Sequence, residues 1–550
     1  MRRTLFIIAA LLCSFALRGE DRLVERVYLS TDKTAYVAGE RIWISAFCFD
    51  QTHGGLSKFS AVAYVELEST DGNGAATKIA LNEGRGAGAL RIPANLPTGN
   101  YRLCAYTALN RGEIGYDFSR GARTVAIYNT LTTAKVRDGV EIIPDDCYCS
   151  PEGGHSPSGN LKITLPSTCG TSSDVTMMLR NLTLKPATMC VTVVHEDGLA
   201  HAEEASIVAF DRHPAVKGFR SDVAPEYDGE IICACLCGAD REKVASDAEC
   251  FALLSTPGDP TNIYTASLQD TVRFRTGNIY GSQDLVFELV GAGPDARCWL
   301  DIVSPFVAPA PEKLPKLGIA RWTEPLLVRR GRGMVQSTRQ DTLFQYVPKK
   351  NDFLLRPGEM VRYSLDDYTR FPTMEELFVE IIPELRARKK DGRWGISVKM
   401  NDVFRSAENV WGNSLMMIDG VPVLDHSKIM EYDPSLIREV EIYPYTYLVG
   451  SNAFGGVANF VTLKGNMPFI SFPDNVRIVD FAGTSYPMAF NDCPDEANTI
   501  CWHPMVEIGA SQEAEMHFRT PAYPGSFHVT VEGVLEDGEP FHTEESFVVK

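Results

Sequence analysis

Long apolar segments are scarce in this sequence. Apart from residues 5–12, no stretch approaches the ~20 consecutive apolar residues that a membrane-spanning helix needs, so we expect no helical span beyond the N-terminus. Positive charge is also scarce, with 53 Lys and Arg against 71 Asp and Glu and a net charge of -18. Nucleic-acid binding would need a basic patch concealed in an acidic protein. We expect no such patch and no nucleic-acid partner.

Motifs that mark enzymes and metal centres are missing. The sequence has no G-x-S-x-G, H-E-x-x-H, P-loop or complete G-x-G-x-x-G motif, and its 10 histidines are scattered. The alternating Cys233, Cys235 and Cys237 would share one face of a strand, where we expect them to pack as small buried side chains; a metal site is the alternative. The sequence therefore predicts a protein that is not an enzyme and has no cofactor or metal.

The N-terminus has the pattern of a secretory signal peptide. Arg2 and Arg3 precede the apolar residues 5–12, and small residues follow, so we predict a signal peptide over residues 1–16 with cleavage before Leu17. Lipidation of Cys13 is the alternative. Either route takes the protein out of the cytoplasm, and we expect it in the periplasm or associated with the outer membrane.

Residues 23–133 consist of short alternating segments separated by Gly, Asn and Asp turns, which is typical of a β-sandwich. Large side chains fall on both sides of the segment 41–49, so we expect both faces of that strand to be covered. A T-D-K-x-x-Y-x-x-G-E pattern near the start is formed by Thr31, Asp32, Lys33, Tyr36, Gly39 and Glu40. In this pattern the region resembles MG2, the second macroglobulin domain of the α2-macroglobulin superfamily. Gly39 would allow a positive φ and Asp32 would accept hydrogen bonds from backbone amides, so the motif is expected to shape turns.

Further strand-rich blocks follow, because 550 residues exceed what one hydrophobic core can organise. We predict a second β-sandwich over 134–215, a sandwich over 225–300 that resembles the carboxypeptidase-regulatory-like modules, and a C-terminal sandwich over 466–550. The Pro-rich and basic residues 301–358 predict an extended linker. Its cluster of Arg329, Arg330 and Arg332 is either solvated or a contact for an acidic partner.

The block 360–465 differs from the others because it carries a helix signal. Thr373 can cap a helix and Glu376 completes a capping box, while Asp419 and Gly420 form a two-residue hairpin turn between apolar runs. Together with the run MMIDGVPV, the glycines Gly450, Gly455 and Gly456 make the block resemble the plug domain of TonB-dependent outer-membrane receptors. The resemblance implies an α+β fold and a docking surface. The usual glycine-rich run is altered to LVGSNAFGGVANF, so receptor function does not follow.

Two functional elements of these families are missing. A thioester macroglobulin needs a C-G-x-x-Q type motif, which the sequence lacks, and a receptor barrel needs far more than the 85 residues after Gly465. The combination resembles large envelope proteins of Bacteroidota. The predicted fold class is mainly β, with tandem immunoglobulin-like or macroglobulin-like β-sandwiches plus a small α+β plug-like domain. The expected function is non-catalytic binding and scaffolding, in which the plug-like domain docks on an outer-membrane protein partner. The alternative is a thioester-less, macroglobulin-like protein that binds or inhibits peptidases.

Overall fold

The computed structural model is mainly β, as the sequence predicts, with six short helices among its described residues. The predicted signal peptide, Cys13 and Gly450 lie outside those residues. The described residues are 23–68, 74–111, 122–132, 136, 139–144, 159–199, 206–211, 225–257, 261–293, 295–307, 314–339, 360–390, 392–401, 414–449, 452–465, 467, 470–490 and 496–550.

The first half of the chain is composed almost entirely of strands. Up to residue 142 the elements are β1 (Glu25–Thr31), β2 (Ala35–Val37), β3 (Arg41–Asp50), β4 (Val62–Leu67), β5 (Ala75–Ala80), β6 (Arg85–Arg91), β7 (Gly99–Tyr106), α1 (Ala108–Arg111), β8 (Arg123–Tyr128) and β9 (Val140–Ile142). Up to residue 302 they are β10 (Leu161–Thr164), β11 (Thr168–Cys169), β12 (Asp174–Asn181), β13 (Ala187–His195), α2 (Ile207–Asp211), β14 (Ile231–Gly238), α3 (Arg241–Ser246), β15 (Phe251–Thr256), β16 (Asn262–Ser267), β17 (Thr271–Arg275), β18 (Ser282–Val290) and β19 (Cys298–Ile302).

The second half contains the longer helices before strands return. Up to residue 462 the elements are β20 (Leu317–Ile319), α4 (Glu324–Arg339), β21 (Val361–Ser364), α5 (Met374–Glu380), β22 (Leu385–Lys390), β23 (Arg393–Val398), β24 (Leu415–Ile418), β25 (Val421–Pro422), α6 (His426–Met430), β26 (Ile437–Val449) and β27 (Asn452–Thr462). The last are β28 (Val476–Ala482), β29 (Thr484–Ser485), β30 (Thr499–Ile508), β31 (Glu513–Arg519), β32 (Gly525–Leu535) and β33 (Pro540–Val549).

The N-terminal sandwich packs the sheet β1-β3-β6 against the sheet β2-β8-β7-β4-β5, whose edge is extended by β29. Strand β3 shows why both sheets are needed. Ile42 and Ile44 enter the core between the sheets, whereas Phe47 and Phe49 lie on the other face against Phe210 and its neighbours. Both faces of β3 are therefore covered, as its residue pattern predicts.

The C-terminal sandwich is built from two distant parts of the chain. Its sheets are β10-β12-β31 and β11-β33-β32-β13-β30, and they enclose one core. The sequence predicts two separate sandwiches, over 134–215 and 466–550, whereas in the structure strands from both regions form one sandwich. Strand β13 is buried along nearly its whole length and needs a neighbour on each side, and both neighbours, β30 and β32, come from the C-terminal part. Alternation identifies a strand but not its partner.

The middle sandwich packs β17-β14-β19 against β16-β15-β18-β28. Its strand β14 does place three cysteines on one face, but that face points away from the core. Ile232, Ala234 and Leu236 are the buried residues, and the intervening Cys233, Cys235 and Cys237 are half-buried. The expectation that these cysteines pack as buried core residues was wrong.

The described residues between 301 and 339 are ordered elements rather than an extended linker. Strand β20 pairs in parallel with β9, and α4 packs beside β2. Arg330 lies at 4% exposure and its Nε donates to Asp197 Oδ2 at 2.7 Å, while Met334 joins the apolar cluster around Val37. Arg330 is thus paired inside the molecule, while Arg329 contacts His195 and the exposed Arg332 forms a surface ion pair with Glu496. The expectation of a cluster that is solvated or open to an acidic partner therefore does not hold for Arg330.

The α+β unit, residues 361–462, has a five-stranded sheet, β21-β26-β27-β24-β25, with helices α5 and α6 over it. Thr373 caps α5 by accepting a hydrogen bond from the backbone N of Glu376 at 3.2 Å, as the sequence predicts. Strands β22 and β23 of the unit form a separate two-stranded hairpin, called the ribbon here. The unit is inserted between β19 and β28 of the middle sandwich, which is itself inserted between β13 and β30 of the C-terminal sandwich. The modules are therefore nested rather than strung in a line.

Candidate functional site

The MG2-like motif forms a compact polar cluster around Asp32. The buried carboxylate accepts hydrogen bonds from the backbone N of Trp43 at 3.1 Å and from Lys33 Nζ at 3.0 Å, and the Tyr36 hydroxyl lies 2.9 Å from its Oδ1. Gly39 has a φ of 91° in the turn that follows, where the backbone N of Glu40 donates to Val37 O. Gly39 and Asp32 thus have the geometry that the sequence predicts for them.

A residue that the motif does not contain completes this cluster. Thr499 Oγ1, from β30, donates to Asp32 Oδ2 at 2.6 Å. Asp32 therefore joins the N-terminal and C-terminal sandwiches in addition to shaping a local turn. No sequence pattern could indicate this contact, because 467 positions separate the two residues.

A second polar cluster, centred on Glu532, joins the same two sandwiches and was not anticipated. Glu532 is buried in β32, and its carboxylate accepts from the hydroxyls of Tyr28 at 2.8 Å and Ser30 at 2.7 Å. His542 Nδ1 lies 3.1 Å from the same carboxylate, and its Nε2 lies 2.7 Å from Glu544. Arg123 donates to the Tyr28 hydroxyl.

The charges in this Glu532 cluster are balanced. Burial opposes ionisation of Glu532, but the hydrogen bond from His542 and the positive charge of Arg123 outweigh it and lower the pKa of Glu532 to about 2. Burial likewise opposes protonation of His542, but hydrogen bonds to Glu532 and Glu544 raise its pKa to about 9. The carboxylate lies between the serine and the histidine, so the imidazole is not placed to take the Ser30 proton. This arrangement is suited to holding surfaces together.

A third cluster joins the N-terminal sandwich to the middle sandwich. Lys78 Nζ lies 2.7 Å from Glu230, both side chains are buried, and the Tyr64 hydroxyl lies 3.0 Å from Glu226 Oε1. Burial lowers the pKa of Lys78 and raises that of Glu230, against the attraction between them. Burial also raises the pKa of Glu226 to about 7. Buried pairs of this kind cost much free energy when one partner is removed, so they fix the relative position of the modules.

The plug-like motif also serves the internal structure. Asp419 and Gly420 have φ values of 49° and 78°, which a two-residue turn of the mirror-image type requires. Asp419 accepts from the backbone N and hydroxyl of Thr462 at 2.7 and 2.6 Å, and Gly420 N donates to Asn459 at 3.0 Å. The motif therefore locks the β24–β25 turn against β27.

The two described glycines of the motif differ in what surrounds them. Gly456 has a φ of 85°, and a Cβ there would meet Val398 Cβ at 2.7 Å, so only glycine fits. Gly455 has no neighbour within 4 Å of such a Cβ. The close approach at Gly456 seats the end of the β22–β23 ribbon on β27.

One face of the α+β unit is already covered by the chain itself. Leu415, Met417, Tyr447, Phe454 and Val457 pack against residues of the middle sandwich, namely Phe251, Leu253 and Ile263. The covered face belongs to β24, β26 and β27. An external partner would therefore have to meet the unit from another side, such as that of α5, where Val379 is 74% exposed.

A polar groove of about 810 Å³ lies between the N-terminal and C-terminal sandwiches. Its charged lining residues are Lys58, Glu83, Arg85, Glu507, Glu536 and Asp537. Within the described residues no group of three or more His, Cys, Asp or Glu side chains could hold a metal ion. The helices of the described ranges include none that is long and apolar enough to cross a membrane.

Comparisons with known proteins give no close relative. No protein-family model matches the chain, and no curated protein matches it. Among solved structures, Escherichia coli α2-macroglobulin activated by porcine elastase matches at 8% identity and a TM-score of 0.24, over 96% of this chain and 44% of that one. The native conformation of the same E. coli protein matches at 9% and 0.25, over 97% and 40%. The E. coli adhesin FdeC matches at 11% and 0.15, over 52% and 66%.

These likenesses are remote. The chain spans less than half the length of the macroglobulin structures. Identities near 10% and TM-scores of 0.25 or less carry no conclusion about family, activity or partners. What can be said of this chain therefore comes from its own sheets and contacts.

Proposed function

We propose that the protein is a non-catalytic, exported envelope protein, a scaffold of macroglobulin-like β-sandwiches that holds a plug-like α+β unit for docking on an outer-membrane protein partner. The observation that carries the proposal is the way the unit is mounted. It has a complete core of its own, and one face is fixed to the middle sandwich, while the α5 side remains open.

The attachment of the α+β unit to the sandwiches supports a scaffold function because buried contacts hold the modules together. The Asp32, Glu532 and Lys78 clusters connect the N-terminal sandwich to both other sandwiches, and each contains buried charged groups with hydrogen-bonded partners. Apolar packing then fixes the unit to the middle sandwich. A unit held in this way presents its open side in one orientation, which lowers the entropy cost of binding a partner.

The export and the envelope location within this proposal rest on the N-terminal pattern and on the resemblance of residues 360–465 to receptor plugs. The open side of the unit includes an exposed apolar residue on helix α5. Val379 is exposed between the acidic Glu375, Glu376 and Glu380 on the outer side of α5. This side chain, with polar residues around it, is the point at which we expect the partner to contact the unit.

Partner recovery from native envelopes tests the proposal. We would compare the tagged full chain with Val379→Asp, and use Leu184→Asp in the C-terminal sandwich as the matched control, because Leu184 is also apolar and is 89% exposed. Affinity purification with mass spectrometry should recover an outer-membrane protein with the native chain and the control but not with Val379→Asp. Equal recovery by all three chains would contradict docking through this side.

The peptidase-binding alternative predicts a different result. A macroglobulin-like protein without a thioester would slow cleavage of a large substrate by an added protease, whereas a docking scaffold would not. An inhibition assay with the purified full chain, over a range of protease concentrations, separates the two functions. The peptidase-binding function would be favoured if the native chain and the Val379→Asp variant both inhibited the protease in a concentration-dependent way.

A further inference from the structure

The β22–β23 ribbon carries a concentrated positive charge in an acidic protein. From Leu385 to Lys399 the sequence has six cationic residues and one acidic residue, whereas the whole chain has a net charge of -18. The strand register shows where these charges lie. Arg386 faces Ser397, Arg388 faces Gly395, and Lys390 faces Arg393 across the ribbon. The expectation of no basic patch was wrong.

Directly opposed residues in an antiparallel pair point to the same side, so four cations share one face, the cationic face: Arg386, Arg388, Lys390 and Arg393. All four are exposed. The only other residues opposite them on this face are Ser397 and Gly395, which are small. The reverse face carries Leu385, Ile396 and Val398, which enter the core of the α+β unit. The ribbon is thus anchored by one face and open on the other.

The charges of the cationic face are not used within the described structure. Among the described residues, none of the four side chains forms an ion pair, in contrast to Arg362 and Arg370 of the same unit. Lys390 and Arg393 stand directly opposite each other, and like charges in that position are destabilising. The arrangement therefore has a local cost that no ion pair among the described residues offsets.

The ribbon is also held in position by side chains of the unit, which lowers the entropy cost of binding through its cationic face. In the part of the chain that the structure describes, no strand lies on the outer side of β23, and side chains take the place of one. Its backbone N–H groups at Trp394, Ile396 and Val398 donate to Ser427 Oγ at 3.1 Å, to His426 Nδ1 at 2.9 Å and to Ser414 Oγ at 2.8 Å. These backbone N–H groups at the outer edge of the ribbon are therefore already hydrogen-bonded, while the cationic face stays open.

We propose that the cationic face binds the anionic phospholipid headgroups of a membrane surface. Lipid headgroups require accumulated positive charge and little else, and each Lys or Arg near an anionic leaflet contributes about fivefold in affinity. The face is an open two-stranded surface with small residues between its cations, which suits a broad, flat array of phosphates.

Other polyanions fit the face less well. Single-stranded nucleic acids bind by stacking bases on aromatic side chains, and the aromatic residue of the ribbon, Trp394, lies on the reverse face beside Lys389. Protein interfaces have apolar or aromatic anchors at their centre, and the cationic face has none. The acidic remainder of the chain does not prevent binding, because charges beyond about 10 Å are screened at ~0.1 M salt.

Vesicle sedimentation with the full chain tests the inference. One arm uses phosphatidylcholine vesicles that contain about 30% phosphatidylglycerol as the anionic lipid, and the other uses phosphatidylcholine alone. The ribbon variant neutralises the four cations of the face by substitution with Gln. The control variant neutralises four exposed cations elsewhere and therefore has the same net charge: Lys162→Gln, Arg241→Gln, Arg273→Gln and Lys464→Gln.

The native chain and the control should bind the anionic vesicles, with a salt-dependent affinity, and leave neutral vesicles unbound. The ribbon variant should lose on the order of several hundredfold in affinity, at about fivefold for each cation. Absence of anionic-vesicle binding by the native chain, or an equal loss in both variants, would overturn the inference. So would a ribbon-dependent affinity for a single-stranded oligonucleotide without vesicle binding. The inference does not depend on the protein partner proposed above, because the vesicles contain no protein.

Discussion

The Glu532 cluster and the cationic face of the ribbon differ in the environment of their charges. At the Glu532 cluster Glu532, His542 and Arg123 are buried and hydrogen-bonded, and opposite charges lie together even though the groups come from distant parts of the chain. On the cationic face four like charges stand together in solvent and, among the described residues, have no ion pair. The buried, paired charges of the Glu532 cluster thus hold two modules together, whereas we propose that the cationic face binds an external surface.

Removing the carboxylate of Glu532 should have the largest effect. Glu532→Gln would remove the negative charge near the buried Arg123 and one of the two carboxylates that hold His542, and we expect a loss of about 3–5 kcal/mol in the free energy of unfolding. Urea denaturation followed by tryptophan fluorescence measures it. A loss below about 1 kcal/mol would show that the cluster does not hold the sandwiches together.

Gly456→Ala should disturb the seat of the ribbon. The new methyl group would approach Val398 Cβ to 2.7 Å at a φ of 85°, and we expect a loss of about 2–4 kcal/mol. Gly455→Ala is the matched control, because its methyl group would meet nothing within 4 Å and should change stability by less than about 1 kcal/mol. Equal losses in the two variants would mean that Gly456 is not constrained as described.

Mild acid should loosen the ribbon and spare the Glu532 cluster. Burial lowers the pKa of His426 to about 4, so its stabilising contribution is complete above the unfolded value of ~6.5 and is lost as pH falls from there towards 4. We expect a loss of about 2 kcal/mol at pH ~5. The stabilisation that Glu532 provides is present above the pKa of ~4.5 that it has in the unfolded chain, so it persists at pH ~5. The stabilisation that His542 provides is lost only as the pH rises towards 9.

Amide hydrogen exchange measures this contrast residue by residue. After correction for the intrinsic exchange rate, the Ile396 amide, which donates to His426, should lose protection at pH ~5 relative to pH ~7. The β32 amides next to Glu532 should keep theirs, because His195, whose pKa burial also lowers to about 4, packs on the other end of that strand. Loss of protection at both places, or at neither, would remove the proposed difference between the two regions.

Neutralising one ribbon charge should have the smallest effect on stability. Arg388→Gln removes an exposed cation that has no ion pair among the described residues, and it reduces repulsion on the cationic face. We expect a change within about 0.5 kcal/mol, towards greater stability. A substantial loss in urea denaturation would show that the ribbon uses its charge internally and would weaken the contrast with Glu532.

Features fixed by neighbouring residues could be predicted from the sequence. The positive φ values at Gly39, Asp419 and Gly420 and the cap at Thr373 follow from local backbone chemistry, and the structure contains them. The mainly β fold follows from alternation in the same way. These are properties that a short window of sequence determines.

Long-range pairing could not be predicted. Strand β13 gives no sign that its neighbours begin more than 300 residues later, and the Asp197 carboxylate gives no sign that it will neutralise Arg330. The cationic face is different, because its hairpin pairs residues that lie within one short stretch of the sequence. Its charges alternate with other residues along two strands, and only the hairpin register places them on one side.

Site-specific photocrosslinking in native envelopes tests the docking of the α+β unit most directly. A photoreactive amino acid would replace Val379 on α5 or, as the control, Leu184 on the C-terminal sandwich, in an otherwise native full chain. The account predicts a discrete crosslink to an outer-membrane protein from position 379 and none from position 184. The same crosslinks from both positions, or none from 379 while the chain remains folded, would contradict it.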